Sequence, residues 1–193
     1  AVGDTLGGYH TDQFVTATAQ AWLRRKGKPL NAEGEPWFMA LNLVNPHDVM
    51  FYNTDKPGQK AQGDPKPMMP INRDPDDKIY KEKWDLPLSA SRKEAWDKPG
   101  RPKAHLEYQK SRRFLVGAVQ NEDERWRRLQ NYYFNCINDN DRSLDNVLTE
   151  LDNLGMLEKT IVILTADHGE LCGAHGMSGK GATAYREQNQ VPF

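Results

Sequence analysis

Two places along the chain set a histidine, or an acid next to a histidine, directly after a short apolar run. Asn45-Pro46-His47-Asp48 follows WFMALNLV (37–44), and Asp167-His168-Gly169-Glu170 follows TIVILTA (160–166). Aspartate offers a hard carboxylate oxygen and neutral histidine an imidazole nitrogen, so an adjacent pair on irregular backbone can turn both donors toward one divalent cation. Two ligands are too few for any metal, and the others must come from elsewhere. Downstream, Leu171-Cys172-Gly173-Ala174-His175-Gly176-Met177 leads into Ser178-Gly179-Lys180-Gly181. Glycines around His175 and Lys180 permit close backbone approach to a ligand, and a lysine held there can neutralise an anionic ester. Taken alone, each feature has a plainer reading. Asp167-His168 can be a surface turn, His47 a turn residue capped by Asp48, and Lys180 a solvated charge.

The elements that must position these residues follow from periodicity. The runs at 37–44 and 160–166 have the length and composition of buried strands. Thr11 and Asp12 suit a helix start ahead of Phe14, Val15, Ala17, Ala19, Ala21, Trp22 and Leu23, and that helix is expected to stop before Gly27 and Pro29. From about Glu122 to Asn153, apolar residues including Trp126, Leu129, Tyr133, Cys136, Leu144, Val147 and Leu151 recur at three- and four-residue steps, which predicts one long helix stopped at Gly155. Strand, helix and strand in that order predict an α/β domain with a largely parallel sheet flanked by helices. Ligands in such sheets collect at the carboxyl ends of strands, where His47 and Asp167-His168 would then fall. Between about 53 and 103 prolines recur without sustained periodicity, which reads as a long excursion; loops of that length are often lids or binding loops.

Bulk properties narrow the partners. The 193 residues carry a net charge of -1, with 27% charged and 37% hydrophobic residues, and a mean hydropathy of -0.83. No global field draws nucleic acid or an anionic membrane; the cluster Arg125, Arg127 and Arg128 reads as a solvated helix face. No apolar run approaches the ~20 residues needed to span a bilayer. Two cysteines, Cys136 and Cys172, exclude a disulfide framework. Cys136 is expected in the core with Trp37, Cys172 as a loop residue or an incidental thiol, His10 and His105 on the surface, and Glu170 as a residue that stands behind the ligands or structures its loop rather than a metal ligand.

DHGELCGAHGMSGKG, after TIVILTA and before YREQNQVPF, resembles the second signature region of the sulfatase family, which lies in the alkaline phosphatase superfamily with the phosphonate monoester hydrolases. VNPHD (44–48) is similar to that family's histidine-bearing segment. The long helix with Tyr132-Tyr133 and LDNVL (144–148), and the Tyr9-His10-Thr11-Asp12 entry to the first helix, also resemble its pattern. Only the proline-rich excursion falls outside. The resemblance implies an alkaline phosphatase-like fold and hydrolysis of sulfate esters, or alternatively of phosphonate or phosphate esters. Asp167 and His168 would hold one divalent cation, most often Ca2+, with Mg2+ or Mn2+ as alternatives. Lys180, thirteen residues past Asp167, would contact the sulfate or phosphate oxygens. His47 would face the leaving-group oxygen as hydrogen-bond donor or general acid, and His175 would take a supporting place behind the ligands.

The same resemblance exposes a gap. Family members attack with a formylglycine made from Cys or Ser in a C/S-x-P-x-R context. Neither Cys136 (CINDN) nor Cys172 (CGAHG) nor any serine has that context. The acidic pair of ligands expected near the family's N-terminus is missing as well, and Asp4 follows no strand pattern. We therefore expect one partial catalytic domain over 1–193, internal to a longer enzyme and without efficient turnover alone. Its partners would be a small anionic ester and the remainder of the same polypeptide. A non-catalytic binding relative is the reading from another class. Ala1-Val2-Gly3-Asp4 shows no basic, apolar leader pattern, so the compartment stays open, export and a lysosome-like destination included.

Overall fold

The computed structural model describes residues 5–192; Asp4 and the Ala1-Val2-Gly3 start lie outside them. In chain order the helices are α1 (Gly7–Trp22), α2 (Lys28–Glu33), α3 (Lys103–Val116), α4 (Asp123–Asn153) and α5 (Arg186–Asn189). Short 3-10 turns stand at His47–Phe51, Lys78–Lys81, Ala90–Lys93, Leu157–Lys159 and Ala174–Gly176. Two compact units divide the chain, 1–48 with 135–162 and 49–134 with 163–193. Among the described residues no helix is long and apolar enough to cross a membrane.

The first unit packs Ala19 and Leu23 against Val147, Leu151 and Met156, joined by Trp22, Trp37, Met39 and Leu41. Its α1 begins earlier than capping chemistry suggests: Thr11 and Asp12 lie inside the helix. Asp12 is buried, and its carboxylate accepts the amides of Val44 at 2.7 Å and Asn45 at 2.9 Å instead of capping its own helix. Nor does the helix stop before Gly27. A π turn (Leu23–Gly27) carries it into α2, where Pro29 sits in the first turn, a position that needs no amide proton. It ends at Gly34, whose φ of 76° is left-handed. The long helix and its stop agree with expectation: Gly155 donates to Asp152 O and Met156 to Leu151 O, the paired bonds of a Schellman cap.

Among the described residues there is no parallel sheet. Trp37, Met39 and Leu41 turn toward the core while Phe38 is 89% exposed, the alternation of an extended chain. TIVILTA has no assigned secondary structure, and Ile161, Val162, Ile163 and Leu164 are all exposed. Neither run has a neighbouring strand. Among the described residues the sole β-pairing is one isolated bridge between Tyr52 and Asn72. β-branched composition reports what a segment tolerates, whereas a strand requires a partner about 4.8 Å away to receive its amides and carbonyls. The α/β expectation is corrected accordingly: the described chain is helices joined by extended segments and turns.

In the second unit the excursion is fastened by polar side chains. Arg125 and Asp55 form a buried ion pair. Asp55 also accepts the amide of Gln62, and Gln62 bonds Thr54 at one end and the carbonyls of Tyr52 and Val116 at the other. Arg125 is thus no solvated helix charge; it ties the excursion to α4. Tyr52 stacks on Tyr132 at 4.4 Å.

Candidate functional site

The tip of the second apolar run presents two donors side by side. His168 Nδ1 lies 3.0 Å from Gly169 O, so in the neutral ring Nδ1 is the nitrogen that donates and Nε2 the one that carries a lone pair. That Nε2 stands 3.4 Å from Asp167 Oδ2, and the Asp167 side chain is 86% exposed. Two electron-rich atoms so placed call for a proton or a metal cation between them. In kind, an oxygen and a nitrogen donor suit a divalent ion. In number they are insufficient: among the described residues no group of three or more His, Cys, Asp or Glu could hold a metal ion.

Directly behind the tip, the chain closes into a hydrogen-bonded nest around Lys180. Gly169 N donates to Gln188 O at 2.7 Å. The Gln188 side chain accepts from Gly181 N at 3.0 Å and donates to Gly181 O at 3.0 Å and Thr183 O at 3.1 Å. Glu170 Oε1 accepts the amides of Gly179 at 2.5 Å and Cys172 at 3.2 Å, and Leu171 N donates to Gly179 O. Lys180 is flanked on both sides by residues tied to 169–171. The space the glycines open is taken by protein. A Cβ on Gly169 would stand 2.1 Å from Glu187 O, and one on Gly179 (φ 86°) 2.8 Å from the Arg112 guanidinium. The Cys172 thiol is pushed up by burial and by the charge of Glu170, so it remains a protonated thiol rather than a nucleophile.

His175 does a different job. Its φ is 57°, its ring stacks on Tyr185 at 3.7 Å, and Nδ1 lies 3.2 Å from Glu94 Oε2. Its amide donates to Ser91 Oγ, its carbonyl accepts from Arg101, and the neighbouring Gly176 O accepts from Trp96. The histidine loop is therefore the anchor for the distal half of the excursion. The hydrogen bond from His175, with Lys98 and Arg101 nearby, holds the Glu94 carboxyl below its ordinary range. His105, expected on the surface, is buried; burial, then Arg101 and His175, push its imidazole down.

His47 belongs to the first unit, at the start of its 3-10 turn, half-buried, with its amide on Val44 O at 3.0 Å. Asp48, fully buried, accepts the amides of Gly8 and Tyr9 at the start of α1. Asp12 returns the favour from α1 to Val44 and Asn45, and Asn140 donates to Asn45 O at 2.5 Å. Burial raises the Asp12 carboxyl against the pull of those two amide bonds. Only glycine fits at position 8, where a Cβ would meet Asn45 Cγ at 2.3 Å.

Two contributors escaped the sequence reading, Gln188 and the whole of α3. The buried residues of α3 are His105, Gln109, Arg112 and Val116. They repeat at helical spacing, yet three are polar, so a search for apolar periodicity passes over them.

Comparison with known proteins gives the family. The Sulfatase family model matches residues 2–193. Arylsulfatase K of Bos taurus is 40% identical over 62 residues, 32% of this chain and 11% of that protein. The multifunctional alkaline phosphatase superfamily protein PehA of Trinickia caryophylli is 26% identical over 172 residues, 86% of this chain and 29% of that protein. An arylsulfatase of Chlamydomonas reinhardtii is 38% identical over 53 residues, 28% of this chain and 8% of that protein. The chain spans less than a third of the length of each of these relatives.

Proposed function

Since this chain belongs to the sulfatase family, we propose that it supplies the cation- and anion-binding part of an enzyme that hydrolyses sulfate esters. The observation that carries the reading is the Nε2 of His168 set 3.4 Å from Asp167 Oδ2, immediately ahead of the nest that holds Lys180. Asp167 and His168 would be ligands of one divalent cation, Ca2+ first, with the remaining ligands drawn from beyond the described residues. Such an ion withdraws charge from a bound ester oxygen. Lys180 would bind the non-bridging oxygens, where negative charge grows as the ester cleaves. His47 would donate a hydrogen bond or proton to the departing alkoxide oxygen. The nucleophile, a formylglycine, would come from the remainder of the polypeptide, so the 193 residues alone should show no efficient turnover.

Phosphonate or phosphate monoesters are the second reading, supported by the 86% of this chain that aligns with the alkaline phosphatase superfamily protein PehA. Both are tested on the full-length protein by comparing turnover of p-nitrophenyl sulfate with that of a phenylphosphonate monoester. A preference for the sulfate, abolished by chelation and restored by Ca2+, supports the first reading. A phosphonate preference replaces it with the second. Sulfate turnover that survives chelation, or that Asp167→Asn leaves at the wild-type rate, removes the cation site from both.

A further inference from the structure

Lys180 sits on backbone that α3 holds from the outside. Tyr108 Oη donates to Lys180 O, and the Tyr108 ring would touch a Cβ on Gly181 at 3.0 Å. One turn on, Arg112 lies against Gly179 so closely that any side chain there would meet its Cζ and Nε at 2.8 Å. Between them Gln109 Nε2 reaches Ser178 O at 3.4 Å. One face of one helix thus touches each residue from 178 to 181.

Arg112 is itself unusual. It is 7% exposed, and its Nε is buried without a hydrogen-bond partner, as is Glu170 Oε2. Both residues line a small cavity of about 10 Å³ together with Ser178 and Gly179. A buried guanidinium with an unsatisfied donor is costly.

We propose that Tyr108 and Arg112 are positioning residues for Lys180, fixing the backbone from which its ammonium reaches the substrate oxyanion. This rests on the reading of Lys180 given above. Tyr108 acts through a carbonyl and Arg112 through packing on Gly179. A shift of about 1 Å in a charged contact to a reacting group can cost on the order of a hundredfold in rate.

The experiment is a double-mutant cycle on the full-length protein with p-nitrophenyl sulfate as substrate and inorganic sulfate as competitive inhibitor. Tyr108→Phe keeps the ring and removes only the hydroxyl. It should lower kcat/KM roughly tenfold or more and weaken inhibition by sulfate, with little change in Tm. Arg112→Ala should do the same and Arg112→Lys should recover part of the loss. Lys110→Ala, on an exposed position of α3, should leave both readouts unchanged. In the Lys180→Ala background, Tyr108→Phe should add less than about twofold, because coupled residues are non-additive. Full multiplication of the two defects, or Tyr108→Phe with wild-type kcat/KM and sulfate inhibition, overturns the proposal while leaving Lys180 in place. Wild-type activity of Lys180→Ala is the separate result that removes the reading on which it rests.

Discussion

Gly169 gives its amide to the carbonyl of Gln188 at 2.7 Å, and through that bond the start of α5 is fixed to the tip that carries Asp167 and His168. The Gln188 side chain then bonds Gly181 and Thr183. One residue therefore couples the two halves of the candidate site within the second unit.

Gln188→Ala removes the side-chain half of that coupling and leaves the backbone bond. Gln188 is buried while Gly181 is exposed, so the loss is that of the side-chain bonds to Gly181 and Thr183, net of those that water restores. The expected cost is about 1–3 kcal/mol in denaturant unfolding, together with a fall in kcat/KM of the full-length enzyme. An unfolding midpoint equal to wild type would show that the nest does not depend on this side chain.

Arg125→Ala tests the fastening of the excursion. It would strand the Asp55 carboxylate, which is buried and otherwise holds only the Gln62 amide among its short contacts. Removing one partner of such a pair typically costs on the order of 3–5 kcal/mol. Limited proteolysis gives a local readout: cleavage between residues 53 and 102 should accelerate in the variant. If it does not, the excursion is held by other contacts, with Tyr52 on Tyr132 the first to examine.

The long helix was legible because its core-facing residues are apolar and regularly spaced; Trp126, Leu129 and Cys136 are buried as the pattern required. The sheet was misread because WFMALNLV and TIVILTA have strand composition, and composition carries no information about a partner strand. Asp167, His168 and Lys180 could be named from sequence, and Glu170 proved to structure its loop as expected. The glycines around Lys180 were read as openings for a ligand, whereas at 179 and 181 the openings admit Arg112 and Tyr108. Close packing between distant segments leaves no periodic trace, and the polar buried stripe of α3 imitates a solvated one.

Acid should weaken the second unit in two stages. His105 holds a proton less readily when folded, so the unfolded chain protonates first and stability falls as pH drops below about 6.5. Glu94 is depressed below 4.5. Its contribution is complete above about that pH and is lost as pH falls further, through the folded value. Melting temperatures at fixed ionic strength should show both declines. His105→Gln should flatten the first and Glu94→Gln the second. Equal slopes for wild type and His105→Gln between about pH 6.5 and 5 would exclude the buried histidine as a cause.

Gly169→Ala should be among the most damaging single-methyl changes in the chain. The new Cβ would stand 2.1 Å from Glu187 O, which is backbone and cannot rotate aside as a side chain would. Relief requires 169 and 187 to separate, and separation breaks the bond from Gly169 N to Gln188 O. Overpacking in tight sites usually costs about 1–3 kcal/mol, and the lost hydrogen bond adds about 1 kcal/mol more. The consequence should extend past stability: Asp167 and His168 precede the strained residue directly, so Ca2+ affinity of the full-length enzyme, measured by calorimetry, should weaken along with the unfolding midpoint. Gly34→Ala provides the contrast, because a Cβ there meets nothing within 4 Å and its cost should be limited to its left-handed φ of 76°. Should Gly169→Ala match the wild type in both midpoint and Ca2+ affinity, the close approach of 169 to 187 is not a feature of the folded protein in solution.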